Sequence, residues 1–240
     1  RRPSDSCMRV AVVAERTARH EETDAATRLS RLVATLADRG HDVTVFCSQW
    51  WEGGPEVPTF DADGVTYHAV THDPGTPGWR FALRLPRRVR RFDPDVIHAV
   101  HDPPVAVLGA RLARSIARVP LVVDWYEHHP REGWRERLRR RAARAPDRVV
   151  VPSRLVETGV LELGRAPEGT EVVPGSVDMD AIRAVESDPA ADIVYSRRLD
   201  ADANVESLLL ALAELRTVDW SAAVIGEGPE RDRYEEMARD

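Results

Sequence analysis

Two rhythms of apolar residues alternate along the chain. Met8–Ala14 (MRVAVVA) is a short apolar run, partly β-branched, as a strand buried on both faces of a parallel sheet presents. Over Glu22–Arg39 the apolar positions Ala25, Leu29, Leu32, Val33 and Leu36 fall three and four apart. That spacing predicts an amphipathic helix, and Gly40 is its stop. Val43–Cys47 (VTVFC) reads as a second strand, so the first 47 residues are β-α-β.

The unit recurs. Gly64–Val70 alternates like a strand, Trp79–Phe92 reads as a basic helix interrupted by Pro86, and Asp95–Ala99 is a strand. An apolar helix over Val105–Ala117 follows, then the strand Leu121–Asp124 and an arginine-laden helix over Gly133–Arg144. Arg148–Val151, Arg154–Leu163 and Glu171–Val173 read as strand, helix and strand. Alternation with short links predicts an α/β fold with a doubly wound parallel sheet. A short helix over Met179–Arg183 leads to the polar stretch Val185–Ala191. The pattern then restarts with the strand Asp192–Tyr195, the helix Val205–Arg216, the strand Ser221–Ile225 and the helix Pro229–Arg239. The expected organisation is a flexible lead over residues 1–7, a first domain over 8–185, and a second over 190–240 that stops short of a closed sheet.

Composition narrows the class. The chain has 240 residues, 42% hydrophobic and 31% charged, which excludes wholly disordered and collagen-like chains. The longest apolar run, Leu208–Ala213, is far below the ~18 residues a membrane span requires. All 34 basic residues are arginine, and the formal charge of −6 speaks against a general nucleic-acid coat. Cys7 and Cys47 show no metal-ligand spacing, and Cys47 reads as a buried thiol. The polar lead Arg1–Cys7 lacks a signal-like apolar segment, so the expected compartment is the cytoplasm.

Five segments, in order, carry a resemblance. They are LADRGHDVTVF (Leu36–Phe46), FDPDVIHAVHDPP (Phe92–Pro104), APDRVVVPSRLV (Ala145–Val156), VVPGSVDMD (Val172–Asp180), and a final stretch that runs from IVYSRRLDADANVE to VIGEGPER. Together they resemble the retaining glycosyltransferases of the GT-B type, in the broad family 4 group. The resemblance implies Rossmann-like domains, the first mostly holding the acceptor and the second the donor nucleotide. It implies metal-independent transfer of a hexose from a nucleotide-diphosphate sugar to a glycan, lipid-linked or small-molecule acceptor, with no cofactor. The family's paired-glutamate motif would lie beyond Asp240, so the resemblance covers a C-terminally truncated form. A non-catalytic partner subunit of the same fold, or a nucleotide-sugar epimerase, is the alternative.

Candidate residues follow from strand ends, where parallel sheets place ligands. Arg198 lies past Asp192–Tyr195 and matches the family arginine that pairs the donor diphosphate; a guanidinium fork suits two phosphate oxygens. Arg197 replaces the family glycine, and Ala203 stands where the family supplies a second phosphate-binding lysine. Gly226, Glu227 and Gly228 open a helix, where backbone can approach a ligand and the helix start favours an anion; an ordinary turn reads the same way. His101, at a strand's carboxyl edge, can bind sugar hydroxyls or move a proton, whereas His98 reads as a core residue. Tyr126 stands where the family has a histidine and Glu127 where it has an acid. Asp124 and Glu127 can hold acceptor hydroxyls or simply cap the next helix. The family's glycine pair after the first strand is missing, and Arg16 or Thr17 of Glu15–His20 stands in its place.

Four DxD strings occur in an Asp-rich chain, in loop contexts, and read as chance rather than as a metal site. Arg80–Arg91 and Arg131–Arg144 interleave arginines with Trp79, Phe81 and Trp134. Such faces can rest on anionic lipid or can simply be solvated.

Overall fold

The computed structural model describes residues 7–21, 23–72, 76–126, 133–177, 179–186, 191–215 and 219–239. The chain divides after Val177 into two compact units.

The first unit is built on β1 (Arg9–Val13), α1 (Asp24–Asp38), β2 (Asp42–Ser48), β3 (Thr59–Ala62), β4 (Val65–Thr71), α2 (Gly78–Phe92), β5 (Val96–Val100), α3 (Pro104–Ala117), β6 (Leu121–Asp124), α4 (Trp134–Ala143), β7 (Arg148–Val151), α5 (Arg154–Glu162) and β8 (Thr170–Val172). The strands form one eight-stranded sheet in the order β3-β4-β2-β1-β5-β6-β7-β8, as the alternation predicts. Every pairing is parallel except β3 with β4.

Period-two alternation sorts β1 between two cores. Val10 and Val12 join Leu29 and Val33 of α1 on one face. Ala11 and Val13 join Phe81 and Leu85 of α2, Val107 and Ala110 of α3, Ala142 of α4 and Val160 of α5 on the other. With both faces covered, the strands read as apolar runs rather than alternating ones. Side-chain caps set two helix starts: Thr23 accepts from Ala26 N at 3.2 Å, and Ser153 from Val156 N at 3.4 Å.

Two features depart from expectation. The edge strand β3 was not foreseen; it joins β4 through Asp63-Gly64, both with positive φ (53° and 74°), the geometry of a two-residue primed turn. And α2 runs unbroken through Pro86, which is buried against the core. Pro86 has no N–H to give the carbonyl of Ala82, four residues back. Gly109 of α3 comes in at that point: a Cβ on it would lie 2.7 Å from Ala82 Cα and 2.9 Å from its carbonyl oxygen. Close packing of α3 thus covers the gap that proline leaves.

The second unit contains α6 (Met179–Ala184), β9 (Ile193–Ser196), α7 (Val205–Ala213), β10 (Ala222–Ile225) and α8 (Arg231–Met237). Parallel β9 and β10 form a two-stranded sheet over a small core of Leu199, Ala203, Val205 and Tyr234.

Candidate functional site

In the first unit the chain leaves β1 toward β2 on one side and reaches β5 on the other, so β1 and β5 form a topological switch point. Helix α1 covers one face there and α3 the opposite one, which opens a crevice outside the carboxyl ends of the strands. A pocket of about 710 Å³ occupies it. Glu15, Arg16 and Thr17 after β1, His101 and Asp102 after β5, and Tyr126 after β6 line it.

His101 is held from three sides. Its backbone N–H donates to Asp124 O at 3.0 Å, and its ring stacks on the fully buried Trp125 at 4.8 Å between centroids. Its Nδ1 accepts the Tyr126 amide at 3.4 Å, so the neutral ring carries its proton on Nε2. The Tyr126 ring packs edge-on at 5.7 Å, and burial, with the Asp124 carboxylate beside it, pushes its phenol well above the usual range. That phenol therefore stays protonated and acts only as a hydrogen-bonding group.

Asp124 is placed differently from expectation. It is 2% exposed, is not among the pocket-lining residues, and pairs with Arg28 Nε of α1 at 3.3 Å. His98 Nε2 stands 3.7 Å from the same carboxylate oxygen. Oδ2 of this buried carboxylate thus ties the β6 end to α1, while Oδ1 is buried with no hydrogen-bond partner. Arg16 is exposed, lines the pocket and pairs with Glu21 at 3.2 Å. Glu127, together with Arg131 of the second arginine-rich stretch, lies outside the described residues.

Sequence reasoning passed over Glu15. It is the second residue beyond β1, and the strand-end rule that singled out His101 applies equally to it. Its Oε2 is buried with no hydrogen-bond partner. Gly78 makes the room: a Cβ there would lie 3.0 Å from that oxygen. Burial raises the carboxyl above the usual range and nearby Asp102 raises it further, against the lowering effect of Arg16.

In the second unit, Arg197 and Arg198 follow β9, both exposed. Arg198 Nε lies 3.6 Å from Asp200 Oδ2. Gly226 and Gly228 after β10 press against the carbonyls of Arg197 and Leu199, closer than any side chain would allow. Leu199 N–H donates to Glu227 O at 2.9 Å, so the two strand ends are tied backbone to backbone. The glycines there serve this close approach. Helix α8, which follows this turn, has seven residues, and Glu227 pairs with Arg231 in its first turn at 2.5 Å. Ala203 is 1% exposed, and its carbonyl accepts the Tyr195 hydroxyl, so that position belongs to the unit's core.

Among the described residues no three His, Cys, Asp or Glu side chains gather as a metal site, and no helix is long and apolar enough to cross a membrane.

Residues 25–175 match the family model described as "Glycosyl transferase 4-like domain". No curated protein matches the chain. Among solved structures it is similar to Anabaena Alr3699/HepE in complex with UDP, at 17% identity over 97% of this chain and 65% of that one, with a TM-score of 0.68. It is also similar to the lipopolysaccharide outer core galactosyltransferase WaaB in its apo form, at 17% identity over 97% and 64%, with a TM-score of 0.64. A putative UDP-N-acetylglucosamine 2-epimerase from Listeria monocytogenes aligns at 12% identity over 97% and 66%, with a TM-score of 0.52. At these identities the likeness is one of fold, and the chain spans 64–66% of the length of these three structures.

Proposed function

Because the chain belongs to the glycosyl transferase 4-like family, we propose that it serves transfer of a hexose from a nucleotide-diphosphate sugar to a glycan, lipid-linked or small-molecule acceptor, with retention and without a metal. The observation that carries this reading is the pocket at the β1/β5 switch point, which combines a fixed imidazole with carboxyl groups at strand ends. Such a site suits the many hydroxyls of a sugar, which both donate and accept.

In this reading the first unit holds the acceptor. His101 binds or moves the proton of an acceptor hydroxyl, and Glu127 assists it. Tyr126 and Arg16 contact the acceptor, while Asp124 acts as a positioning residue through Arg28. The second unit holds the donor diphosphate. Arg198, with Arg197, offsets the charge that develops on the leaving diphosphate, and the Gly226-Glu227-Gly228 turn shapes the backbone beside it. The UDP held by the HepE structure supports this donor class.

The rival reading is a non-catalytic subunit of the same fold. It draws on Ala203, which occupies the place of a second phosphate contact and is buried in the core. Isothermal titration of the 240-residue chain against UDP and GDP separates the two. The transferase reading expects binding of one nucleotide, weakened at least tenfold by Arg198→Ala. Binding of neither, or binding indifferent to Arg198, favours the subunit.

A further inference from the structure

The transfer reading leaves one pocket residue without a task. Glu15 lines the pocket at the β1/β5 switch point, with Oε2 buried and without a hydrogen-bond partner among the described residues. The carboxyl stands against Gly78, the first residue of α2: a Cβ there would meet Oε2 at 3.0 Å and Val105 Cγ1, in the first turn of α3, at 3.1 Å. A side chain at position 78 would push the carboxyl aside, so the glycine keeps it where it is. A carboxyl buried without a donor carries an uncompensated cost. The start of α2 would favour the anion, but no amide there donates to Oε2, and burial raises the carboxyl above its usual range.

The neighbouring charges indicate what would offset that cost. Among the described residues that line the pocket, Glu15, Glu21 and Asp102 are acidic, and Arg16 is the one arginine. Arg16 pairs with Glu21 at 3.2 Å, so these two charges offset each other. Asp102 lies close enough to Glu15 to raise its carboxyl further. A sugar hydroxyl can donate to either carboxylate but does nothing for their mutual repulsion. A phosphate or a carboxylate on the ligand adds a further like charge. A protonated amine donates up to three N–H groups and brings the opposite charge to both.

We propose that Glu15 is the specificity-determining residue of this pocket, and that the acceptor it selects is a cationic amino sugar whose ammonium group is held by the Glu15 carboxylate beside Asp102. That the occupant is an acceptor rests on the transfer reading above. The preference for an ammonium group rests on the pocket alone. The same two carboxylates turn away a phosphorylated sugar, so the pocket distinguishes acceptors by the sign of their charge.

Isothermal titration of the 240-residue chain at pH 7 with D-glucosamine, N-acetyl-D-glucosamine and D-glucose tests this without nucleotide or turnover. The three probes share a hexose frame, and only the first carries an ammonium group. Glucosamine should bind at least about tenfold more tightly than either neutral sugar, as a charged hydrogen bond in a partly buried site implies. Glu15→Gln removes the charge and keeps the shape, and should bring glucosamine to within about twofold of glucose. Unchanged affinity of that variant for glucose shows that its pocket is intact. Absence of glucosamine binding, equal binding of glucosamine and N-acetylglucosamine, or a preference that survives Glu15→Gln overturns the proposal. Failure of UDP and GDP to bind, with the glucosamine preference intact, would instead overturn the transfer reading and leave the amine specificity standing.

Discussion

At the ends of β1, β5 and β6 the candidate residues stand on an eight-stranded sheet whose central side chains are fully buried. At the ends of β9 and β10 they stand on a two-stranded sheet whose Val194, Val224 and Ile225 are exposed. The first arrangement fixes its groups by packing. His101 is clamped between a backbone hydrogen bond, an indole and a tyrosine amide, so little side-chain freedom remains to be lost when a ligand binds. The second fixes only its backbone, through the glycine turn and the Leu199–Glu227 hydrogen bond, and leaves Arg197 and Arg198 in solvent. Charge attraction tolerates that freedom better than directional hydrogen bonding does.

Three substitutions sharpen or break the contrast. Trp125→Ala should have the largest effect, because it empties a fully buried site behind His101. We expect a loss of about 3–5 kcal/mol in urea unfolding, with amide exchange in β10 unchanged. Faster exchange in β10 would mean that the second unit depends on the first for its order.

Tyr234→Phe probes the second unit in the same way. The Tyr234 hydroxyl donates to Asp200 O at 2.9 Å, and its loss should cost about 1 kcal/mol. Faster amide exchange in β9 and β10 would report it. An effect as large as that of Trp125→Ala would show that the small core is packed as tightly as the large one.

Glu15→Gln should have the smallest effect and the opposite sign. Folding holds this carboxyl above its usual range, so its ionised form is disfavoured in the native state. That penalty is absent below the unfolded value of about 4.3 and complete above the raised native one. The glutamine variant should therefore be the more stable of the two in urea at pH 7.5 and equal to wild type at pH 3. Lower stability at neutral pH would mean that the carboxylate has a favourable partner in the pocket.

The local features were legible in the sequence because burial imposes a period on the chain itself. Runs such as RVAVV, the three-and-four spacing over α1, and the stop at Gly40 each follow from contacts within a few residues or from one face meeting a core. The strand-end rule placed His101, Tyr126 and Arg198 on the ends of parallel strands for the same reason. The Asp-Gly turn that makes β3 was equally present as a signal, although β3 itself is an exposed edge and carries no apolar period.

The tertiary structure decided the rest. The pairing of Asp124 with Arg28, 96 residues away, is set only by the folded sheet. Pro86 reads as a helix breaker until Gly109 of another helix covers the carbonyl it strands. Glu15 acquires its raised carboxyl only where Gly78 makes room for it and Asp102 comes alongside. The two arginine-rich stretches become one surface only because α3 packs between them. Periodicity is a property of neighbours along the chain, whereas charge pairing, desolvation and close backbone approach depend on distances that only the folded sheet sets.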